Sequence, residues 1–205
     1  MERTISGMVG KGSVNHNTRA FTAKNVDSDR SGANVHFCNE DIKQVYHTLF
    51  DEALERYNEK QKRKDRVIDD YYEKIRQGKQ EKLFHEVIFQ IGNKDDMNAK
   101  SEEGLLAKKI LTEFMDEFQA RNPNLYVFSA HLHMDEETPH LHIDFVPYIT
   151  ESKRGLDTRV SLGCRGVYRW HERCYRVESM DCSREAGIGY GDGAIWCQMA
   201  SKRYT

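Results

Sequence analysis

Two short apolar runs frame a histidine-rich segment, and together they commit this chain to a paired β-ribbon with one polar, imidazole-bearing face. The runs are Tyr126-Val127-Phe128 and Ile143-Asp144-Phe145-Val146. Between them lies His133-Met134-Asp135-Glu136-Glu137-Thr138-Pro139-His140-Leu141-His142. Side chains alternate across a strand. His140 and His142 therefore share a face while Leu141 and Ile143 point into the core, and His131, His133 and Asp135 share a face on the first strand. Glu136 to Pro139 is turn material, with Pro139 starting the return strand. Antiparallel pairing then brings His133 to the His140/His142 face. Three imidazoles gathered this way suit one divalent metal ion and leave positions open for water or substrate. A lone His-x-His pair says little; two alternating pairs joined by an acidic turn say more. Structural zinc sites favour cysteine, and none lies near.

The rest of the chain supplies a frame for this hairpin. Residues 1–35 read as a weak first strand around Ile5 and Met8-Val9, then a loop carrying His16, Asn17 and Arg19. From Asn39, a plausible cap, the pattern is helical: Ile42, Val45, Tyr46, Leu49, Phe50, Ala53, Leu54 and Tyr57 recur at threes and fours. Val67, Ile68, Tyr71, Tyr72 and Ile75 continue as a second one-faced helix that Gly78 ends. Glu86 to Ile91 predicts a strand. A long helix follows from Ser101, with Leu105, Leu106, Ile110, Leu111, Phe114, Met115 and Phe118 as its core face; it stops before Asn122-Pro123. This order predicts an α+β domain, an antiparallel sheet with helices packed mainly on one face and the other face left for a site.

A chain of 205 residues fits one domain with a real core. The net charge of −2 gives no global nucleic-acid signature. Local basic runs exist: Lys60, Lys62, Arg63, Lys64 and Arg66, then Arg76, Lys79 and Lys82. Runs of this kind are commonly solvated helix faces. No long apolar stretch or signal-peptide pattern is present, so a cytoplasmic protein without a membrane segment is expected. Of five cysteines only Cys38 precedes residue 160, and no Cys-x-x-Cys occurs, which predicts neither a disulfide framework nor a zinc ribbon.

The histidine segment resembles the H-x-D-E-x-T-P-H-x-H signature of the Mob/Pre plasmid mobilisation and recombination proteins. These are the MobV relaxases, within the HUH endonuclease class. Val14-Asn15-His16-Asn17-Thr18-Arg19 is similar to the family's N-terminal motif, and Asn25-Val26-Asp27-Ser28-Asp29-Arg30 to the Asn-x-Asp-x-x-Arg after it. The likeness runs to about Leu162, through Lys153-Arg154-Gly155-Leu156-Asp157-Thr158-Arg159.

The resemblance implies a metal-dependent strand transferase that nicks plasmid DNA at an origin of transfer, for mobilisation and recombination. The DNA would be single-stranded or extruded at the nick. His133, His140 and His142 would hold the ion, and Glu136, by resemblance, would sit beside it. Asp135 is placed to fix the tautomer of a liganding histidine. The family suggests Mn²⁺ or Mg²⁺, with manganese the better match to three nitrogens. By the same resemblance His16 is the nucleophile, forming a phosphoramidate with the DNA 5′ end. Tyr46 and Tyr126 are alternatives, since tyrosine serves elsewhere in the class. Asn17, Arg19 and Arg30 are expected on the DNA, the arginines as phosphate clamps. Two other readings stand beside this one: a metal-dependent phosphodiester hydrolase that activates water, and an inactive truncated DNA-binding protein.

Residues 1–162 are thus expected to form the catalytic domain and 163–205 an anomalous tail. The tail holds both tryptophans and four cysteines without helical or strand periodicity. Cys174-Tyr175-Arg176-Val177-Glu178-Ser179-Met180 can be back-translated so that a one-base shift reads Ala-Thr-Glu-Trp-Asn-Gln-Trp, similar to a stretch that family members carry. A frameshifted, poorly ordered tail is therefore expected. Any homodimer would use a C-terminal region missing from this chain.

Overall fold

Alternation and capping place most of the elements. The computed structural model describes residues 5–162. In chain order these are β1 (Ile5–Val9), the single-turn helix α1 (Val14–Asn17), β2 (Val35–Asn39), α2 (Ile42–Glu59), α3 (Tyr71–Gln77), β3 (His85–Ile91), α4 (Glu102–Asp116), α5 (Phe118–Arg121), β4 (Leu125–His133), β5 (His140–Ile149) and β6 (Arg159–Val160). The sheet runs β1-β3-β5-β4-β2, with β6 added beside β5, and every pairing is antiparallel. This is the expected α+β architecture. The expected tail and four of the cysteines lie outside the described residues; Cys38 is a free thiol.

One face of the sheet carries the main core. Val87, Phe89, Ala130, Leu132, Leu141, Ile143 and Phe145 pack there against Ala107, Ile110, Leu111, Phe114 and Phe118 of α4 and α5. A second cluster lies on the opposite face at the far end of the hairpin. Phe128 and Val146 meet Val45, Tyr46 and Phe50 of α2 and Tyr71 of α3 there. Helices therefore cover one face fully and the other only in part. The histidine end of that second face is left to the single-turn helix α1, whose Asn17 carbonyl accepts from His133.

A β-bulge aims the histidines. Across the hairpin Val127 faces Phe145, yet Ser129 faces Asp144, so Phe128 is the extra residue on β4. Leu125 and Val127 lie in the main core before it, and Ala130 and Leu132 after it. Without the extra residue the strand's parity would turn His131 and His133 into that core. Plain alternation through Val127 misses this.

The caps are partly as expected. Ser101 Oγ accepts from the Gly104 N–H at 3.1 Å, and Glu102 and Glu103 oppose the dipole of α4. Asn39, however, ends the edge strand β2. The cap of α2 is Asp41, which accepts from the Lys43 and Gln44 N–H groups. The buried face of α4 also differs: Leu105 and Leu106 are 61% and 46% exposed, and Gly104 and Ala107 are buried in their place. Glycine is needed at 104 because the helix start lies directly on the preceding loop. A Cβ on Gly104 would stand 2.2 Å from the Asn98 carbonyl oxygen and 2.8 Å from Ala99 Cα. Gly104→Ala is accordingly expected to destabilise the domain by about 2 kcal/mol despite alanine's better helix propensity. Urea denaturation checks this, and an unchanged or raised midpoint would contradict the close packing.

Candidate active site

The register of β4 on β5 sets His133 opposite His140 and His131 opposite His142. The His133 ring centroid lies 5.3 Å from His140 and 4.8 Å from His142, with His140 and His142 4.9 Å apart. All three are buried. Each has one ring nitrogen committed to an acceptor, which fixes its tautomer. His133 Nε2–H donates to the Asn17 carbonyl at 2.9 Å, and His140 Nδ1–H to the Thr138 carbonyl at 2.8 Å. His142 Nδ1–H donates to Glu86 Oε1 at 2.6 Å. The opposite nitrogens therefore carry lone pairs, and His133 Nδ1 and His142 Nε2 are buried with no protein partner. Outer acceptors that orient an imidazole while its other nitrogen faces a shared space are the usual surroundings of a metal ligand. The donor set fits a divalent cation. Ligand atoms of His133, Glu136 and His140 lie within 4.8 Å of one another, as do those of His16, His133 and His142.

The α1 turn lies directly over this cluster. The His16 ring is 5.9 Å from His133 and 5.8 Å from His142. Two neighbours hold it. Asn17 is wholly buried, and its amide donates to Glu86 Oε1 at 2.7 Å and Asp144 Oδ2 at 2.9 Å. Arg19, in the left-handed region at φ 57°, forks onto Asp135 at 3.0 and 2.5 Å and onto Glu136 Oε1 at 2.8 Å. Its remaining nitrogen lies 3.2 Å from the His16 carbonyl and 3.3 Å from His16 Nε2. Guanidinium only donates, so Nε2 meets it with its lone pair. Glu136 lies 3.6 Å from His16 Nε2 and 3.8 Å from His140 Nε2, and also accepts from Asn25 at 2.6 Å.

Several of the expected site residues are engaged within the protein. Asn17 has no exposed face for DNA, because buried carboxylates take its amide. Arg19 is an internal clamp on Asp135 and Glu136. Arg30 donates to the Met134 and Glu136 carbonyls, bracing the hairpin turn. Asp135 orients no histidine; it receives Arg19, Ser31 Oγ at 2.8 Å and Asn34 Nδ2 at 2.7 Å. The tyrosines are equally engaged. Tyr46 is buried under α3 and donates to the Leu83 carbonyl at 2.7 Å. Tyr126 bonds Glu40 at 3.1 Å and lies seven residues along β4 from His133, roughly 23 Å at strand rise. Neither tyrosine reaches the cluster.

Glu86 and Asp144 are the site residues that sequence reasoning missed. Both interrupt strands that otherwise read as apolar, and both fall on the histidine face by parity with Ile88 and His142. A charged residue inside a core strand was the available signal. Gly10 crosses Glu86 so closely that a Cβ there would overlap its carboxylate, and the Gly12 N–H donates to Glu86 Oε2 at 2.7 Å.

Burial dominates the electrostatics. It lowers the pKa of His16, reinforced by Arg19, and that of His140, reinforced by His142. It drives His133 far below the usual imidazole range and His131 down to about 4. His131 Nδ1 meets His36 Nδ1 at 2.7 Å beside the centre. Burial would raise Glu86, but hydrogen bonds from His142, Gly12 and Asn17 carry it below the ordinary carboxyl value. Asp135 is likewise held low, its burial outweighed by Arg19, Asn34 and Ser31. Burial raises Asp144 to about 6.

Acidification should therefore destabilise the metal-free protein. A histidine with a lowered folded-state pKa binds more protons unfolded than folded below about pH 6.5, so stability falls as pH falls through that value towards the folded pKa. For His131 the window runs from 6.5 to about 4, which is about 3 kcal/mol. Asp144 opposes this, gaining relief as pH falls from about 6 towards its ordinary 3.8. Four lowered histidines outweigh one raised acid. Urea midpoints in EDTA at about pH 7 and about pH 5 test the sign; a rise at the lower pH would contradict it.

Fold and site together define a class: an antiparallel α+β domain with a histidine centre beneath an N-terminal turn. The chain belongs to the Mob_Pre family, described as plasmid recombination enzyme, whose model matches residues 38–164. The chain is similar to solved structures of the MobM relaxase domain (MOBV; Mob_Pre) bound to plasmid pMV158 oriT DNA, in manganese-bound form. One at pH 4.6 is 19% identical over 95% of this chain and 99% of that one, with a TM-score of 0.48. Another at pH 5.5 is 18% identical over 96% and 100%, with a TM-score of 0.45. No curated protein matches the sequence.

Proposed function

We propose that this chain is a plasmid relaxase, a metal-dependent strand transferase that nicks DNA at an origin of transfer through a covalent protein–DNA intermediate. One observation carries the reading. His133 and His142 each keep a buried ring nitrogen without a protein partner, and ligand atoms of both lie within 4.8 Å of one of His16. His133, His140 and His142 would hold the ion, with Glu136 as an adjoining oxygen donor. Three neutral imidazoles favour manganese over magnesium, which prefers oxygen. When bound, the ion would serve as a Lewis acid toward the scissile phosphate.

The residues divide the remaining work. Asn17 and Arg19 fix the α1 turn so that His16 Nε2 presents its lone pair. The lowered pKa of His16 keeps that lone pair free of a proton. Its attack forms a phosphorus–nitrogen bond as the bond from phosphorus to the 3′ oxygen breaks. The imidazole sheds its Nδ1 proton and the 3′ oxygen takes one up. Rejoining reverses these steps, as strand transfer requires.

Residues 1–162 are proposed as the catalytic unit, consistent with a family match that ends at residue 164 and a sheet that β6 completes. Among the described residues no helix is long and apolar enough to cross a membrane; a cytoplasmic setting follows from the proposed plasmid substrate. Incubating supercoiled origin-bearing plasmid with protein and Mn²⁺ tests the reading. The expected products are open circles with protein attached through His16. Nicking without an adduct would instead indicate attack by water.

A further inference from the structure

We propose that Phe21 is the stacking platform for a DNA base next to the scissile phosphate; this rests on the relaxase reading and on His16 as nucleophile. Phe21 is 54% exposed, an apolar ring facing water beside a buried polar site. Its centroid lies 6.1 Å from that of His16, with the planes tilted by 52°. A ring this close to the nucleophile is within reach of a base that adjoins a phosphate at His16.

Hydrogen bonds hold the backbone that carries the ring. Thr18 N–H bonds the Val14 carbonyl at 2.8 Å, Arg19 N–H the His16 carbonyl at 3.1 Å, and Phe21 N–H the Asn15 carbonyl at 3.3 Å. The left-handed turn at Arg19 sends its guanidinium inward to Asp135 and Glu136 while the chain continues outward to Phe21. Ordering this backbone before DNA arrives reduces the entropy lost on binding.

Charge at the site strengthens the inference. Arg19 and Arg30, the arginines nearest the cluster in the motifs, are engaged by protein acceptors, and Asn17 is buried. Affinity at the cleavage point must then come from sources other than free guanidinium forks. A stacked base supplies about 1–3 kcal/mol and tolerates any sequence, because every base has a π-face.

The test is anisotropy of a fluorescein-labelled single-stranded oligonucleotide of mixed sequence, in EDTA, with the full chain. Phe21→Ala is expected to weaken binding about 5- to 100-fold and Phe21→Trp to stay within a few fold of wild type. The dependence of log Kd on log salt should hold its slope in both, since no phosphate contact is removed. Mn²⁺ affinity and unfolding midpoint should match wild type in Phe21→Ala, which separates stacking from a structural role. Equal DNA binding by wild type and Phe21→Ala overturns the inference while leaving a His16 adduct, and with it the relaxase reading, intact. Phe21-dependent binding together with an adduct mapped elsewhere removes His16 as nucleophile, and the placement of the base beside it falls too.

Discussion

His16→Ala is expected to abolish both nicking and the covalent adduct, a loss of about 10⁴-fold or more, as removal of a nucleophile generally produces. DNA binding should stay within a few fold, since the histidine centre beneath and the α1 turn itself remain. The turn is held by Asn17 on Glu86 and Asp144 and by Arg19 on Asp135 and Glu136, none of which needs the imidazole. The fold should therefore survive, with an unchanged far-UV spectrum and a near-wild-type unfolding midpoint. Denaturing gels of the plasmid reaction, followed by peptide mass mapping, check the adduct directly. Tyr46→Phe and Tyr126→Phe should form the wild-type adduct, because their hydroxyls serve Leu83 and Glu40 away from the centre. An undiminished adduct in His16→Ala would remove the nucleophile assignment. The pH profile adds a second check: because burial and Arg19 lower the His16 pKa, nicking should persist below the pH at which a free imidazole becomes half protonated.

The hairpin was legible because its information is local. Period-two alternation fixed which histidines share a face, and Pro139 marked the return, so His133 opposite His140 needed no tertiary knowledge. What escaped depends on neighbours distant in sequence. The bulge at Phe128 has no composition signal, because it is set by two cores competing for one strand. Hydrophobicity points to Leu105 and Leu106 at the start of α4, whereas closeness to Asn98 demands glycine at 104. Edge strand β2 is five residues long and alternates weakly, so Asn39 read as a cap. Arginines near a predicted phosphate site invited a DNA role; the carboxylates that claim Arg19 lie more than a hundred residues away. The role of Glu86 is hidden for the same reason. Its partners, His142 and Asn17, come from two other parts of the chain.

The second large effect concerns the metal. His133→Ala or His142→Ala is expected to weaken Mn²⁺ binding by about 2–3 kcal/mol, roughly 10²-fold. That is one donor's share of a small site whose structural-zinc counterparts reach about 10–16 kcal/mol in total. Glu86→Gln removes charge but keeps shape, and should weaken binding only about 10-fold, the usual cost of losing an outer partner of a liganding histidine. The order matters more than the values: direct donors above orienting carboxylate. Calorimetric titration of Mn²⁺ into EDTA-stripped protein measures it. The thermal shift on adding Mn²⁺ should shrink in the same order, since a ligand stabilises the folded state only as far as it binds. Metal-free stability should respond differently. His142→Ala leaves Glu86 without its ring N–H donor, although Asn17 and Gly12 still reach the carboxylate. A hydrogen bond to a buried charged group is worth more than one to a neutral carbonyl, so His142→Ala should lose more metal-free stability than His133→Ala, whose lost partner is the Asn17 carbonyl. If both variants bind Mn²⁺ as wild type does, the imidazoles form a hydrogen-bonded polar core, and the strand-transfer chemistry proposed for this site has no cation to act with.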